Sequence, residues 1–241
     1  MSHTYEFSVR TAVVTGAAKG IGRAIASALG QAGARVLAWD RLPVDLAGIE
    51  SLAVDLTDHK QIESAVVTTT ARFPTLDILV NCAGHLGPLA PLERLSHDEQ
   101  AQVIAVNFVG TIEVCRHLLP LLRRSAHGRI VNLGSLAGKE GLRWLPVYSA
   151  ASGGVIAFTK ALAKEVTGTS IRVNCIAPGP IETDMILNLG RETVDAMIAA
   201  SPLKRLGRAE EVAGLALWLC SDAAAFNHGA VFDMSGGRAN Y

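Results

Sequence analysis

The sequence predicts an α/β protein of one domain, built on a doubly wound parallel sheet of seven strands with helices on both faces. Short β-branched runs alternate with longer stretches of helical period, which is the pattern of repeated βαβ units. Most of those runs are apolar at consecutive positions, as strands covered on both faces must be. A glycine-rich turn lies directly between the first run and the first helical stretch, the place where a Rossmann sheet receives its ligand.

In chain order the strands fall at 11–15, 35–39, 51–54, 77–81, 128–133, 171–176 and 230–233. Helical period covers 20–32, 58–72, 97–123, 147–167 and 209–220, with weaker helix inside 184–201. Ser96 and Glu99 form an S-x-x-E capping box ahead of the third helix, and Gly33 and Gly168 stand where helices should stop. Only Arg41 to Ser51 separates the second and third strands, so that crossover is predicted to shrink to a turn. Right-handed crossovers place the remaining helices on both faces. No repeat, low-complexity tract or linker composition marks a domain boundary.

Composition narrows the function classes. A chain of 241 residues that is 49% hydrophobic suffices for one sizeable core and falls short of two comfortable domains. Lys+Arg and Asp+Glu each total 22, so no net basic field exists to hold nucleic acid or anionic lipid. Met1 to Arg10 lacks the basic start and apolar run of a secretory signal, and no stretch reaches the roughly 20 uninterrupted apolar residues of a spanning helix. A cytoplasmic protein without nucleic-acid or membrane partners is expected. Cys82, Cys115, Cys175 and Cys220 lack metal-ligand or CxxC spacing and read as buried free thiols. His97, His117 and His127 also lack the spacing of a metal site, so no metal is expected.

The glycine turn reads Thr15-Gly16-Ala17-Ala18-Lys19-Gly20-Ile21-Gly22. Gly16 permits the tight turn, Gly20 lets backbone approach a pyrophosphate, and Gly22 lets the helix lie against the sheet. The helix N-terminus adds free N–H groups and the positive end of its dipole, with Lys19 and Ile21 completing the loop. Asp40 ends the second strand, where a carboxylate accepts hydrogen bonds from the adenosine ribose and repels a 2′-phosphate. Lys19 and Arg41 pull the other way, since both can approach a 2′-phosphate. Asp40 sits against the discriminating hydroxyl, so NAD is the expected cofactor and NADP the weaker alternative.

Further along, Asp55 in Val54-Asp55-Leu56, Asn81-Cys82-Ala83-Gly84, Val106-Asn107, Ser135, Tyr148 and Pro178-Gly179 occur in the order of the short-chain dehydrogenase/reductase family. The chain resembles that family over essentially its whole length. The resemblance implies an NAD(P)-dependent oxidoreductase that interconverts a secondary alcohol and a ketone by hydride transfer. It implies that Asp55 caps the adenine with Leu56 beside it, and that Asn81 steadies the sheet where Ala83 and Gly84 border the cofactor. Pro178, Gly179 and Ile181 then lead to Thr183, which holds the nicotinamide carboxamide. By the same resemblance Ser135 polarises the substrate oxygen, Tyr148 moves the proton, Asn107 holds a water relay, and a lysine four residues after the tyrosine completes the set. A homo-oligomer, dimer or tetramer, is also implied. Gly153, Gly154 and Ala157 in the Tyr148 helix would let a neighbouring helix approach, though packing within the subunit explains them almost as well.

Physical chemistry supports the catalytic assignment. Oxidising a secondary alcohol sends a hydride to the nicotinamide and a proton to a base, for which Tyr148 is the candidate. A free tyrosine titrates near about 10, so it needs nearby positive charge to serve as a base at neutral pH. Ser135 offers a donor to the alkoxide that develops in the transition state.

One position departs from the pattern. The run Tyr148-Ser149-Ala150-Ala151-Ser152-Gly153-Gly154 carries Ser152 where the lysine belongs, and no basic residue follows until Lys160. Ser152 shares a helix face with Tyr148 and keeps a hydroxyl for a ribose, but it supplies no charge. A lysine cation about 5 Å from the phenol, at an effective dielectric of about 20, would contribute about 3 kcal/mol, or about two pKa units. Lys160 lies two further turns on, roughly 12 Å along the axis. Lys139, four residues after Ser135 in a Gly138–Gly141 loop, is better placed unless it is a solvated lysine paired with Glu140. His85, after the Asn81–Gly84 turn, faces either substrate or solvent.

Two functions follow. One is an oxidoreductase on a sugar, polyol, dihydrodiol or hydroxyacyl substrate, slowed or shifted to alkaline pH by Ser152. The other is a catalytically silent dinucleotide-binding protein with a regulatory or structural role. Met185, Ile186, Leu187, Met197 and Ile198 in the stretch 183–206 suggest a moderately apolar substrate pocket.

Overall fold

A computed structural model describes residues 5–240 of the chain. Met1 to Thr4, part of the opening read above for a leader, lie outside the described residues. The strands are β1 (Thr11–Thr15), β2 (Arg35–Asp40), β3 (Glu50–Ala53), β4 (Ile78–Asn81), β5 (Arg129–Leu133), β6 (Arg172–Pro178) and β7 (Val231–Met234). All seven lie parallel in one sheet of order β3-β2-β1-β4-β5-β6-β7. The order reverses between β1 and β4, so their connections leave in opposite directions and open a crevice at the strands' C-terminal ends.

The strand sequences are apolar on consecutive positions because each face meets its own core. Along β1, Ala12 and Val14 pack with Ile25, Leu29, Val212 and Leu219 from helices α1 (Gly20–Gln31) and α9 (Ala209–Cys220). Val13 between them points to the opposite face, with Ile62 of α2 (His59–Arg72), Val114 and Leu118 of α4 (Gly110–Leu122) and Leu162 of α6 (Pro146–Glu165). The connection from Asp40 to Glu50 carries no helix, as its length requires.

The stretch read as one helix over 97–123 is three segments. Helix α3 (His97–Ile104), opened by the Ser96–Glu99 capping box, runs into a π segment at Ala105–Val109 and then into α4. The extra residue in the π turn swings Asn107 toward the sheet, where its amide reaches a loop that a regular helix would miss. The combined His97–Leu122 helix has the length and hydropathy to cross a bilayer, which composition did not suggest, yet Val103, Val114, Leu118, Leu121 and Leu122 are buried against the sheet.

Two further differences matter for the site. Gly138–Gly141, expected to be a loop, belongs largely to a short helix, α5 (Leu136–Glu140), because the Ser135 hydroxyl caps it by accepting the Ala137 N–H at 3.1 Å. The weak helix within 184–201 is two, α7 (Asp184–Leu187) and α8 (Arg191–Ala200), broken at Gly190 with φ +88°. Of the small residues of α6, Gly153 and Gly154 pack against Gly138 and Phe108 of the same chain, while Ala157 is exposed. A Cβ on Gly138 would lie 2.5 Å from the Ser152 carbonyl carbon, and one on Gly154 would lie 2.9 Å from the Phe108 ring.

Candidate active site

At the crevice between β1 and β4 lies a cleft of about 520 Å³. Of the residues assigned above to catalysis or to the cofactor, all border it except Asp55, Leu56 and Asn81; of the apolar residues expected in the substrate pocket, Met185, Ile186 and Met197 border it and Leu187 and Ile198 do not.

The dinucleotide end is built from main chain. Gly16 has φ +68°, and a Cβ there would sit 2.6 Å from Ala83 Cα. On Gly22 a Cβ would lie 2.1 Å from the Gly16 carbonyl oxygen, so only glycine lets α1 start this close to the turn. No side chain caps α1, and its first-turn N–H groups are left for a ligand. The Thr15 hydroxyl accepts from the Cys82 and Ala83 N–H groups at 3.0 and 3.2 Å, tying the loop after β4 to the end of β1. Asp40 accepts from Ala18 N–H through Oδ2 and from Leu42 N–H through Oδ1, both at 2.9 Å. Its carboxylate is thereby fixed at the rim with lone pairs to spare. Lys19 is 3.6 Å from Asp184 in an exposed pair that bridges the glycine turn and α7. An uncapped helix start, a glycine-walled approach and an oriented carboxylate fit a dinucleotide: Gly16 to Gly22 would hold its diphosphate and Asp40 a ribose.

Asn81, Asp55 and Leu56, named with the cofactor residues by resemblance, do not border the cleft, and Asn81 makes the sheet contact expected of it. Asn81 closes β4 with its side chain on the helix face, where Nδ2 donates to Asn132 Oδ1 at 2.8 Å and to Cys115 Sγ at 3.2 Å. It joins β4 to β5 below the cleft. Asp55 Oδ1 accepts from both the N–H and the hydroxyl of Thr57, which turns the chain toward α2. Leu56 lies against α4, its Cβ 3.0 Å from where Gly110 would carry one.

The reacting end is assembled from side chains of separate elements. Tyr148 comes from the first turn of α6 and Ser135 from the end of β5. Burial pushes the Tyr148 phenol above its ordinary value, while the adjoining Ser135 and Ser152 hydroxyls pull it down by less. The neighbouring Cys82 raises it further, and among the described residues no Lys, Arg or His lowers it. Ser152 borders the cleft at 5% exposure. Because Ser135 Oγ already accepts from Ala137, its own proton is free to be donated into the cleft.

Neither expected substitute for the lysine borders the cleft. Lys139, on α5 and 9% exposed, pairs with Asp233 Oδ2 at 3.0 Å, and Glu140 instead accepts from the Asn240 N–H. Lys160 is exposed on α6 and does not line the cleft. Asn107 lines the cleft, but both ends of its amide are taken by the main chain of His85: Oδ1 accepts the N–H and Nδ2 donates to the carbonyl, each at 2.7 Å. Its side chain therefore positions the loop after Gly84, and the second Nδ2 proton and second Oδ1 lone pair remain for a further partner. The His85 ring is outside the lining, and partial burial, then the charge of Arg41, lowers its pKa. Cys82, read as a buried thiol, borders the cleft, while Cys115, Cys175 and Cys220 are buried; burial pushes all four up to about 12.

Sequence reasoning missed Arg143 and Arg238, which also line the cleft. Nothing local announces them, since each reaches it from a turn whose course depends on distant packing.

A phenol and a hydroxyl converging beside a dinucleotide cleft define the class of oxidoreductases that move a hydride and a proton between carbon and nicotinamide. The family model described as enoyl-(acyl carrier protein) reductase matches residues 16–239. A 2-dehydro-3-deoxy-L-rhamnonate dehydrogenase (NAD(+)) from a Sphingomonas strain is 34% identical, covering 98% of this chain and 97% of its own. The 3-oxoacyl-acyl-carrier-protein reductase of Escherichia coli is 36% identical over 96% of this chain and 98% of its own. The ligand-free aldohexose dehydrogenase of Thermoplasma acidophilum superposes with a TM-score of 0.90 at 25% identity, over 98% of this chain and 95% of that one. The chain belongs to the short-chain dehydrogenase/reductase family, whose members interconvert hydroxyl and keto groups with a nicotinamide dinucleotide.

Proposed function

We propose that the protein is an NAD-dependent oxidoreductase of secondary alcohols and ketones in which Tyr148 works chiefly as a proton donor. The observation that carries this reading is the Tyr148 phenol, buried between two hydroxyls with no cation beside it. When bound, the dinucleotide supplies or accepts the hydride. Ser135 donates its free proton to the substrate oxygen and holds it against the phenol. In reduction Tyr148 gives its proton to the alkoxide that forms, a step for which a high pKa is suited at neutral pH. In oxidation the same group must first lose its proton, and below its pKa the phenolate fraction falls tenfold per pH unit. Reduction is therefore the faster direction near neutrality, and oxidation speeds up as the medium becomes alkaline.

NAD over NADP rests on Asp40, whose two main-chain hydrogen bonds hold its charge at the ribose end. Lys19, the first candidate for a 2′-phosphate, is engaged with Asp184. The test is hydride transfer with each coenzyme, in both directions, over a panel of alcohols and ketones at neutral and alkaline pH. Ketone reduction with NADH at neutral pH supports the proposal. Coenzyme binding by calorimetry with no turnover in either direction supports instead the silent dinucleotide-binding protein, the reading that Ser152 favours.

A further inference from the structure

We infer that the substrate carries a carboxylate, received at the outer end of the cleft by Arg143 and Arg238. The inference deepens the oxidoreductase reading and rests on it for the identity of the reacting carbon.

The two arginines arrive by separate, structurally enforced routes. Arg143 belongs to the turn between α5 and α6. Its neighbour Trp144 has φ +66°, a conformation that costs a bulky residue energy, and the Trp144 carbonyl is held by the Ala90 N–H at 3.1 Å. The Arg143 guanidinium stacks 4.5 Å from the Trp144 ring centroid, which fixes its plane while leaving the N–H edge available. Arg238 follows β7. Gly236 and Gly237, at φ +68° and +83°, fold the chain back against Ser201 and Pro202 at the end of α8, and the Ser235 hydroxyl accepts the N–H groups of Arg238 and Ala239. The tail is thus anchored, and its half-buried arginine borders the cleft.

The charges along the cleft are uneven. Asp40 lies at the ribose end and Asp184 pairs with Lys19, whereas no carboxylate pairs with Arg143 or Arg238 among the described residues. The walls near them are apolar, including Leu86, Leu142, Leu145, Met185 and Met197. Exposed Arg143 and half-buried Arg238 both border this largely apolar cleft, and neither is in an ion pair among the described residues, so together they offer a site for an anion. The remaining polar groups of this end are committed, Ser135 and Tyr148 to the reacting oxygen and the Asn107 amide to His85. Two forks can satisfy the two oxygens of a carboxylate, and the partly apolar walls suit an acid with a carbon body; a phosphate ester shares the chemistry and is separated from it by the titration below. The substrate class is a hydroxy acid or oxo acid with a partly apolar body.

The test compares β-hydroxyhexanoate with its neutral amide as substrates of the NAD-loaded protein, for wild type, Arg238→Met and Arg143→Met. A parallel calorimetric titration uses hexanoate, hexanamide and pentyl phosphate as ligands without a reacting centre. The acid-to-amide ratio of kcat/KM is expected to be roughly a hundred in the wild type and to fall about tenfold or more with either substitution, with hexanoate affinity falling in parallel. A ratio near one, or a ratio that neither substitution moves, overturns the assignment while leaving the oxidoreductase reading intact. Hexanoate binding that exceeds hexanamide binding and is lost in Arg238→Met, without oxidation of any alcohol, upholds the carboxylate site and sinks the oxidoreductase reading. Tighter binding of pentyl phosphate than of hexanoate overturns the carboxylate in favour of a phosphate ester.

Discussion

The two ends of the cleft are made differently. At the dinucleotide end the ligand meets backbone: glycine conformations, an uncapped helix start and a carboxylate pinned by two N–H groups. At the reacting end it meets side chains delivered by β5, α6, the turn before α6 and the tail after β7. Backbone geometry tolerates almost no substitution, because an added atom collides with main chain that cannot move aside. Side-chain geometry accepts exchange more readily, and Ser152 stands there, four residues after Tyr148, where the family resemblance implies a lysine. A family can thus keep its coenzyme end while altering the proton chemistry a short distance away.

Variants at each end can break that comparison. The largest effect is expected of Tyr148→Phe, which should cut turnover in both directions roughly a hundredfold to ten-thousandfold while calorimetric coenzyme affinity stays close to wild type. Equal losses in affinity and rate would mean that the two ends are not separable. Next, Gly22→Ala should weaken coenzyme binding about a hundredfold and cost about 3 kcal/mol in urea unfolding, since its Cβ meets the Gly16 carbonyl oxygen at 2.1 Å. Near-normal binding by this variant would show that the helix start does not grip the diphosphate.

Ser152→Lys sharpens the comparison from the other side. Ser152 borders the cleft, so a lysine grown there extends into it, and its charge should lower the phenol by about one to two units. Alcohol oxidation near neutral pH is expected to rise about tenfold to a hundredfold, with the acid limb of its pH profile moving down by the same shift. An unmoved profile would show that the missing charge is not what limits the wild type. The smallest change is expected of Asp40→Asn, which keeps a hydrogen-bonding group and removes the charge. Preference for NAD over NADP in kcat/KM should fall about tenfold, and an unchanged preference would remove Asp40 from the discrimination.

The same division governs what the sequence made legible. Every strand falls within two residues of its expected position; for β1, β2, β4, β5 and β6 burial on both faces writes an apolar run, while the exposed edge strand β3 and half-buried β7 lack it, and Gly16–Gly22 was readable because a backbone turn has few solutions. The interruption of 97–123 was not, since a π turn leaves no mark on the apolar period and its Asn107 meets His85, a residue 22 positions away. Family order named Ser135 and Tyr148, which border the cleft, and Asp55 and Leu56, which do not, because side-chain direction depends on pleat and loop packing that a motif does not encode. Lys139 looked like a substitute cation only while Asp233, 94 residues away, was unseen. Arg143 and Arg238 had no motif at all, because their place in the cleft follows from a strained tryptophan and a folded-back tail.

The account turns on a phenol without a cationic neighbour. Ultraviolet difference titration of the coenzyme-free protein, wild type against Tyr148→Phe, reads that phenol directly. The expected result is a phenolate difference signal that emerges only above about 10, beyond an ordinary tyrosine. A signal already present at neutral pH would mean that a positive charge reaches Tyr148 after all, and would contradict the assignment of this residue as a proton donor.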